Sequence, residues 1–169
     1  AGTNTLIGNN IGSKNIKKAS LFVAQSIIYA VVLSILVTLF GLNVSDFLLS
    51  LMGADQEGII LSRKYLDIIF YGTIIVLIQI SLNGTLNAQG DTKSYRNVLI
   101  FSFFLNIFLN PLFIFGYGFI PAFGISGLAI ATVISQFVGL LYLAYKVYSC
   151  ELKKYLKPQC FIPKYDLLK

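Results

Sequence analysis

Histidine is absent from the 169 residues, and charged side chains make up only 12% of them. The first absence excludes histidine-based acid–base and metal chemistry. The second is about half the roughly 25% usual in soluble domains. With 56% hydrophobic residues and a mean hydropathy of +0.78, the chain is too apolar to hide its surface in one modest core, so most of it must face lipid or other helices. Cysteine is scarce too. Cys150 and Cys160 are too few to make a zinc site, and they fall in a basic tail expected in the reducing cytoplasm, where thiols stay free. No secretory signal pattern opens the chain. Residues 1–12 read as the tail of an earlier helix running into a loop, so part of a longer protein is expected.

The net charge of +6 would suggest nucleic acid in a soluble protein. Here the cations sit in short clusters between apolar runs, at Lys14, Lys17 and Lys18, at Lys93 and Arg96, and from Lys146 onward. That spacing is membrane topology and no phosphate-binding face, so no nucleic-acid partner is expected. Uncharged runs at 19–45 and 68–90 are each long enough to cross a bilayer. The run at 97–145 is too long for one span and holds Gly116, Gly118, Pro121 and Gly124 near its middle, so it folds back as two helices, 97–115 and 125–145, joined by a turn at 116–124.

Four spans put 11 of the 13 cations on one side, whereas an odd number would scatter them. By the positive-inside rule both ends are cytoplasmic. The expected order is a cytoplasmic loop at 1–18, span one, an outer amphipathic connection at 46–67, span two, a cytoplasmic loop at 91–96, spans three and four, and a cytoplasmic basic tail at 146–169. Within the connection, Ser45 or Asp46 is expected to cap a short turn ending at Gly53, and Asp55 to open the helix of span two. The fold class is an all-α, polytopic integral membrane helix bundle.

No Asp, Glu, Lys or Arg lies inside a span, although ion-coupled transporters usually need an ionisable group at depth. Any coupling carboxylate therefore belongs elsewhere in a longer chain. Uncharged polar residues recur instead at helical spacing: Gln79, Asn83 and Asn87 in span two, Ser102, Asn106 and Asn110 in span three, and Thr132, Ser135 and Gln136 in span four. Residues four apart share a helix face, and such stripes facing lipid would strand their amides. They must point inward. Two readings stand open, interhelical hydrogen bonds worth about 0.6 kcal/mol each or the lining of a cavity for ions, water or substrate. Pro111 removes the partner of the Ile107 carbonyl, which predicts a helix bend beside Asn106 and Asn110. Gly124, Gly127, Ala131 and Ser135 place small residues on one face of span four, suited to close helix packing.

Three stretches together resemble one family. Leu86-Asn87-Ala88-Gln89-Gly90-Asp91-Thr92-Lys93 is followed by Leu105-Asn106-Ile107-Phe108-Leu109-Asn110-Pro111-Leu112-Phe113-Ile114-Phe115-Gly116, and then by Pro121-Ala122-Phe123-Gly124-Ile125-Ser126-Gly127-Leu128-Ala129-Ile130-Ala131-Thr132. In order and spacing they are similar to the multidrug and toxic compound extrusion (MATE) transporters, and Ile7-Gly8-Asn9-Asn10-Ile11-Gly12 resembles the loop after that family's second helix. The resemblance implies helices three to six of an amino-terminal six-helix lobe, with directions that agree with the charge-derived topology. It implies a plasma-membrane antiporter, not an enzyme, that exports drugs or organic cations in exchange for protons or sodium, with no other cofactor. Its partners would be the bilayer, the remaining helices of the transporter and a small organic substrate. Asn106 and Asn110 match the family's polar cluster, with Asn83, Thr132 and Gln79 as companions and Pro111 as the bend. Family members commonly carry Asp where Asn110 stands, and an amide cannot release a proton. Two alternatives are a lipid-linked oligosaccharide flippase of the same superfamily, disfavoured because such flippases show cations in the cavity, and a small four-helix membrane subunit that transports nothing.

Overall fold

A computed structural model describes residues 2–149, and within them every regular element is a helix: α1 (Gly2–Gly12), α2 (Ile16–Leu51), α3 (Gln56–Ala88), α4 (Lys93–Phe115) and α5 (Ile125–Ser149). Cys150, Cys160 and the tail lysines beyond Lys146 lie outside the described residues. Helices α2 to α5 are each long and apolar enough to cross a membrane, as the four uncharged runs predict.

Two expected boundaries differ. The 46–67 segment is no separate connection, because α2 continues without a break through Ser45 and Asp46 to Leu51, and α3 begins at Gln56. The turn between them is only a few residues long, with Gly53 at φ +81°, a left-handed conformation that glycine adopts without steric cost. Asp55 does open α3, its Oδ1 accepting the Gly58 amide at 2.9 Å. At about 1.5 Å per residue, α2 and α3 run some 50 Å and overshoot the roughly 30 Å hydrocarbon layer. The charges thought to mark a loop therefore decorate protruding helix ends. Arg63 there pairs with Asp46 on α2 and, at 3.8 Å, with Asp67 one turn along α3. The second difference is at the start, where the sequence predicts a loop over 1–18: Gly2–Gly12 is a helix, as the reading of 1–12 as a helix tail expects, and α2 already begins at Ile16. Helix α1 ends at Gly12, and Asn15 caps α2 by accepting the Lys18 amide at 3.2 Å.

Packing order follows the chain only in part. Helix α2 lies against α3, α3 against α5, and α5 against α4, while α1 tucks against α2 and α3. Helix α5 thus lies between α3 and α4. Small residues decide this. Gly127 leaves room for the Phe113 backbone, Gly72 for Val133, and Gly139 for Val98 and Gln79. Two apolar clusters sit at one end of the bundle, Leu82, Leu86, Val98, Leu143 and Val147 in one, Ile7, Ala19 and Val23 in the other. At that same end lie the α1–α2 turn, the α3–α4 turn and the end of α5, so the described cations other than Arg63 and Lys64 gather there.

Helix α4 starts with basic residues and Thr92 offers it no side-chain cap. Asp91 supplies one from the preceding position, its Oδ1 accepting the Ser94 amide at 3.0 Å and its Oδ2 the Ser94 hydroxyl at 2.6 Å. These bonds, aided by the nearby charge of Lys146, hold the Asp91 carboxyl below its ordinary pKa. At the other end α4 runs through Pro111 to Phe115 and stops at Gly116, φ +72°.

Candidate functional site

Along the α4–α5 contact the polar residues of the two helices meet. Ser102 Oγ donates to the Ser135 carbonyl at 3.3 Å, and Asn106 Nδ2 to the Ser135 hydroxyl at 3.5 Å. Ser135 is fully buried and donates in turn to the Ala131 carbonyl at 2.8 Å. Beside this chain opens a cavity of about 340 Å³ that also touches Asn110, Gln136 and Phe103. Both interhelical bonds are long against the usual ranges of about 2.5–3.0 Å for a hydroxyl donor and about 2.7–3.2 Å for an amide donor, so the Asn106 amide is held weakly.

Asn110 is held less still. Its Oδ1 is shut off from the surface and accepts no hydrogen bond. A buried acceptor without a donor costs about 1–3 kcal/mol, and proteins keep few of them. The cavity is wide enough for water or a small solute, and a turn of the Asn110 side chain would bring this oxygen to an occupant able to supply the missing donor or positive charge. Pro111 adds a freed carbonyl at Ile107 by removing an amide hydrogen. Among the described residues no Asp, Glu, Lys or Arg lines this cavity, so their polar contribution to it is amide and hydroxyl dipoles.

The structure gathers some of the sequence-predicted residues and separates others. Asn106 and Asn110 share the cavity, as their i, i+4 spacing requires. Thr132 does not line it, and its hydroxyl bonds back to the Leu128 carbonyl at 2.9 Å, within its own helix. Gln79 is buried at the α3–α5 contact, where a Cβ on Gly139 would stand 2.8 Å from its Nε2 and 3.4 Å from Ser102 Oγ. It reaches the seam at Gly139, beside Val98 and Ser102, and that Nε2 has no partner among the described residues.

Asn83 lies deeper toward the basic end. Helices α3 and α5 run parallel, with Gly72 level with Val133 and Gln79 with Gly139. Asn83 therefore falls level with Leu143, eight residues from Ser135, or about 12 Å along the axis. Its buried Oδ1 is likewise unpartnered, but it belongs to a different layer. Ser102, Ser135 and Gln136 complete the site. Their stripe spacing is visible in the sequence, whereas their convergence depends on α5 meeting α4.

A second polar seam carries no such signal in the sequence. Gln25 is buried on α2, the Ser26 and Ser81 hydroxyls meet at 2.7 Å, and Asn4 of α1 lies against Gly84 of α3. These residues come from three helices, and no helical period links them.

Residues 1–112 match the family model described as MatE. The chain belongs to the MatE family. It is 32% identical over 174 aligned positions to a probable multidrug resistance protein NorM of Thermotoga maritima, an alignment covering 99% of this chain and 37% of that relative. It is 31% identical over 140 positions to a FAD transporter of Shewanella oneidensis, covering 83% of this chain and 31% of the relative. Among solved structures, a multidrug resistance MATE family transporter of the MOP superfamily in its inward-facing conformation superposes at a TM-score of 0.86 and 28% identity, over 99% of this chain and 37% of that one. A MATE crystal structure in a bent conformation gives 0.85 at 29% identity, with the same coverage. The chain thus spans about a third of the length of the relatives it matches. It is a multi-pass membrane protein, and its four long apolar helices are those of the family's bundle.

Proposed function

We propose that this chain forms part of one lobe of a secondary active multidrug exporter, an antiporter that expels organic cations or drugs in exchange for protons or sodium across the plasma membrane. The Asn110 amide carries the reading: its carbonyl oxygen is a buried acceptor without a donor, on a residue that lines a cavity shared by Ser102, Asn106, Ser135 and Gln136, in a chain of this family. Asn106 and Asn110 would offer oxygens to a hydrated cation or to a protonated group, and Ser102, Ser135 and Gln136 would extend the polar wall. Among the described residues the cavity holds no carboxylate, so the group that gives up charge during the cycle would come from the rest of the transporter. Both ends of the chain would be cytoplasmic, in keeping with the cations gathered at one end of the bundle.

The test is drug efflux by the full-length transporter carrying Asn106→Leu and Asn110→Leu at matched expression. Efflux is expected to fall at least tenfold, with altered dependence on the driving ion. Unchanged efflux and unchanged ion dependence would remove the cavity from the mechanism. A second reading is favoured by the likeness to the Shewanella relative named as a FAD transporter, namely export of an anionic dinucleotide. Counterflow of labelled FAD and of a labelled organic cation in the same proteoliposomes separates the two.

A further inference from the structure

Away from the basic end the chain turns back twice, and the two turns differ in chemistry. The α2–α3 turn carries Asp55 and Glu57, whereas no Asp, Glu, Lys or Arg occurs between Arg96 and Lys146. The α4–α5 turn is therefore neutral, and its tip is aromatic instead. Phe119 is wholly exposed, Phe115 and Tyr117 are more than three-quarters exposed, and Phe123 is exposed beside Phe113, the two ring centroids 6.2 Å apart.

The backbone holds these rings in place. Tyr117 and Ile120 exchange amide–carbonyl bonds at 3.1 Å each way, and Phe123 and Gly124 donate to the Phe113 and Ile114 carbonyls at 2.9 and 3.3 Å. At Gly116, φ +72°, a Cβ would stand 2.7 Å from the Ala122 nitrogen and from the Ile120 carbonyl oxygen. The turn is a folded tip and no slack loop.

Register fixes its depth. Eight residues before the level pair Gly72 and Val133, Lys64 of α3 is level with Ile125 at the start of α5. Lys64 is exposed, and Arg63 beside it pairs with Asp46 and Asp67. These charges mark where hydrocarbon ends, because an ion at depth is costly. Helix α4 is about 35 Å long at 1.5 Å per residue, close to the hydrocarbon thickness, so its Phe115 end reaches the same boundary. Helix α3 continues for about 12 Å from Lys64 to Gln56, which carries Asp55 and Glu57 beyond it into water. The amides of Gly118, Phe119 and Ala122 find no acceptor among the described residues. Hydrocarbon forbids that state, and the headgroup layer, with its water and ester carbonyls, permits it.

We propose that the α4–α5 turn is a membrane anchor. Phe115, Tyr117 and Phe119 insert between headgroups and acyl chains in the leaflet opposite the basic end, and they fix the depth of the helix pair that carries the polar cavity. Aromatic rings concentrate at this level, where an apolar body and a wet surround are both at hand. The partner is the phospholipid layer itself, whatever its headgroup charge, since the turn offers no ion. The anchor does not depend on what the transporter exports.

The experiment places a nitroxide on Phe119→Cys of the full-length transporter, otherwise free of cysteine, in phospholipid vesicles. It compares collision with oxygen, which dissolves in lipid, and with a nickel chelate, which stays in water. Oxygen should prevail by about threefold at 119, and the chelate by a similar factor at a Glu57→Cys control on the α2–α3 turn. Phe115→Gln with Tyr117→Gln should bring the label at 119 to the chelate-accessible value of the control. Access to the chelate at 119 with both rings in place would overturn the proposal, because the turn would then lie in water. Poor access to both reagents would overturn it too, since the rings would be packed on another part of the transporter. So would an oxygen preference that survives loss of both rings, because helix length alone would then set the depth.

Discussion

The α2–α3 pair and the α4–α5 pair carry the same kinds of polar residue in equally apolar helices, yet treat them differently. Between α2 and α3 the mid-span groups are matched at short range: Ser26 with Ser81 at 2.7 Å, and Thr38 Oγ1 donating to the Phe70 carbonyl at 2.7 Å. Between α4 and α5 the bonds stretch to 3.3 and 3.5 Å, and Asn110 Oδ1 has none. Helix α3 holds orphan atoms too, Gln79 Nε2 and Asn83 Oδ1 in mid-span, away from its contacts through Ser81 and Phe70, while Ser45, Asp46 and Asp67 surround the Arg63 ion pairs at the outer ends of α2 and α3. A satisfied polar pair in mid-membrane is structural glue. An unsatisfied one beside a cavity is retained at a cost, and binding a partner during transport would repay it.

The sharpest way to break this contrast is to close the junction that both pairs depend on. Gly139→Leu would put a Cβ 2.6 Å from Val98 Cγ1 and 2.8 Å from Gln79 Nε2, so Val98 and Gln79 must shift to admit the larger side chain. A loss of about 1–3 kcal/mol is expected, seen as a lower midpoint in thermal unfolding of the purified transporter. Next come opposite signatures in the two pairs. Asn110→Leu should abolish efflux while leaving thermal stability equal or higher, because it removes an orphan acceptor. Ser26→Ala should leave efflux intact and cost about 0.6 kcal/mol. If both variants lowered stability alike and spared transport, the two seams would be the same kind of packing.

Two smaller effects sharpen the comparison at the helix ends. Arg63→Gln removes ion pairs whose side chains are nearly half exposed, so stability should fall by no more than about 1 kcal/mol, with the difference vanishing in high salt. Asp91 has the smallest effect and a definite sign. Its pKa is lowered in the folded protein, chiefly by the Ser94 hydroxyl and amide. Its stabilisation is therefore complete above the ordinary carboxylate value and is lost as pH falls through the lowered one. Asp91→Asn should flatten that acid limb of the stability curve, and Ser94→Ala should shift it toward higher pH.

Spans were legible because each uncharged run is bounded by ions that lipid rejects, and Asp55 announced the start of α3. The end of the first span was misplaced. Ser45 and Asp46 resemble a cap, but the helix passes through them because Ser45 is buried and Asp46 has Arg63 across the gap. The site was half legible. Asn106 and Asn110 share a cavity because residues four apart share a face whatever the neighbours do. Asn83 and Thr132 show the same spacing but lie elsewhere, because spacing gives a residue's direction and not the level at which helices meet.

By itself, then, the sequence determined that the chain is a membrane helix bundle, how many long helices it has, and which faces must turn from lipid. Those outcomes follow from transfer energies and the 3.6-residue period, which act on each segment alone. Only the tertiary structure decided that α5 lies between α3 and α4, and that decision rests on contacts between residues far apart in the chain. Gly72, Gly127 and Gly139 let backbones and side chains approach where any Cβ would collide, and this packing brings Ser135 beneath Asn106 while leaving Asn83 a layer away.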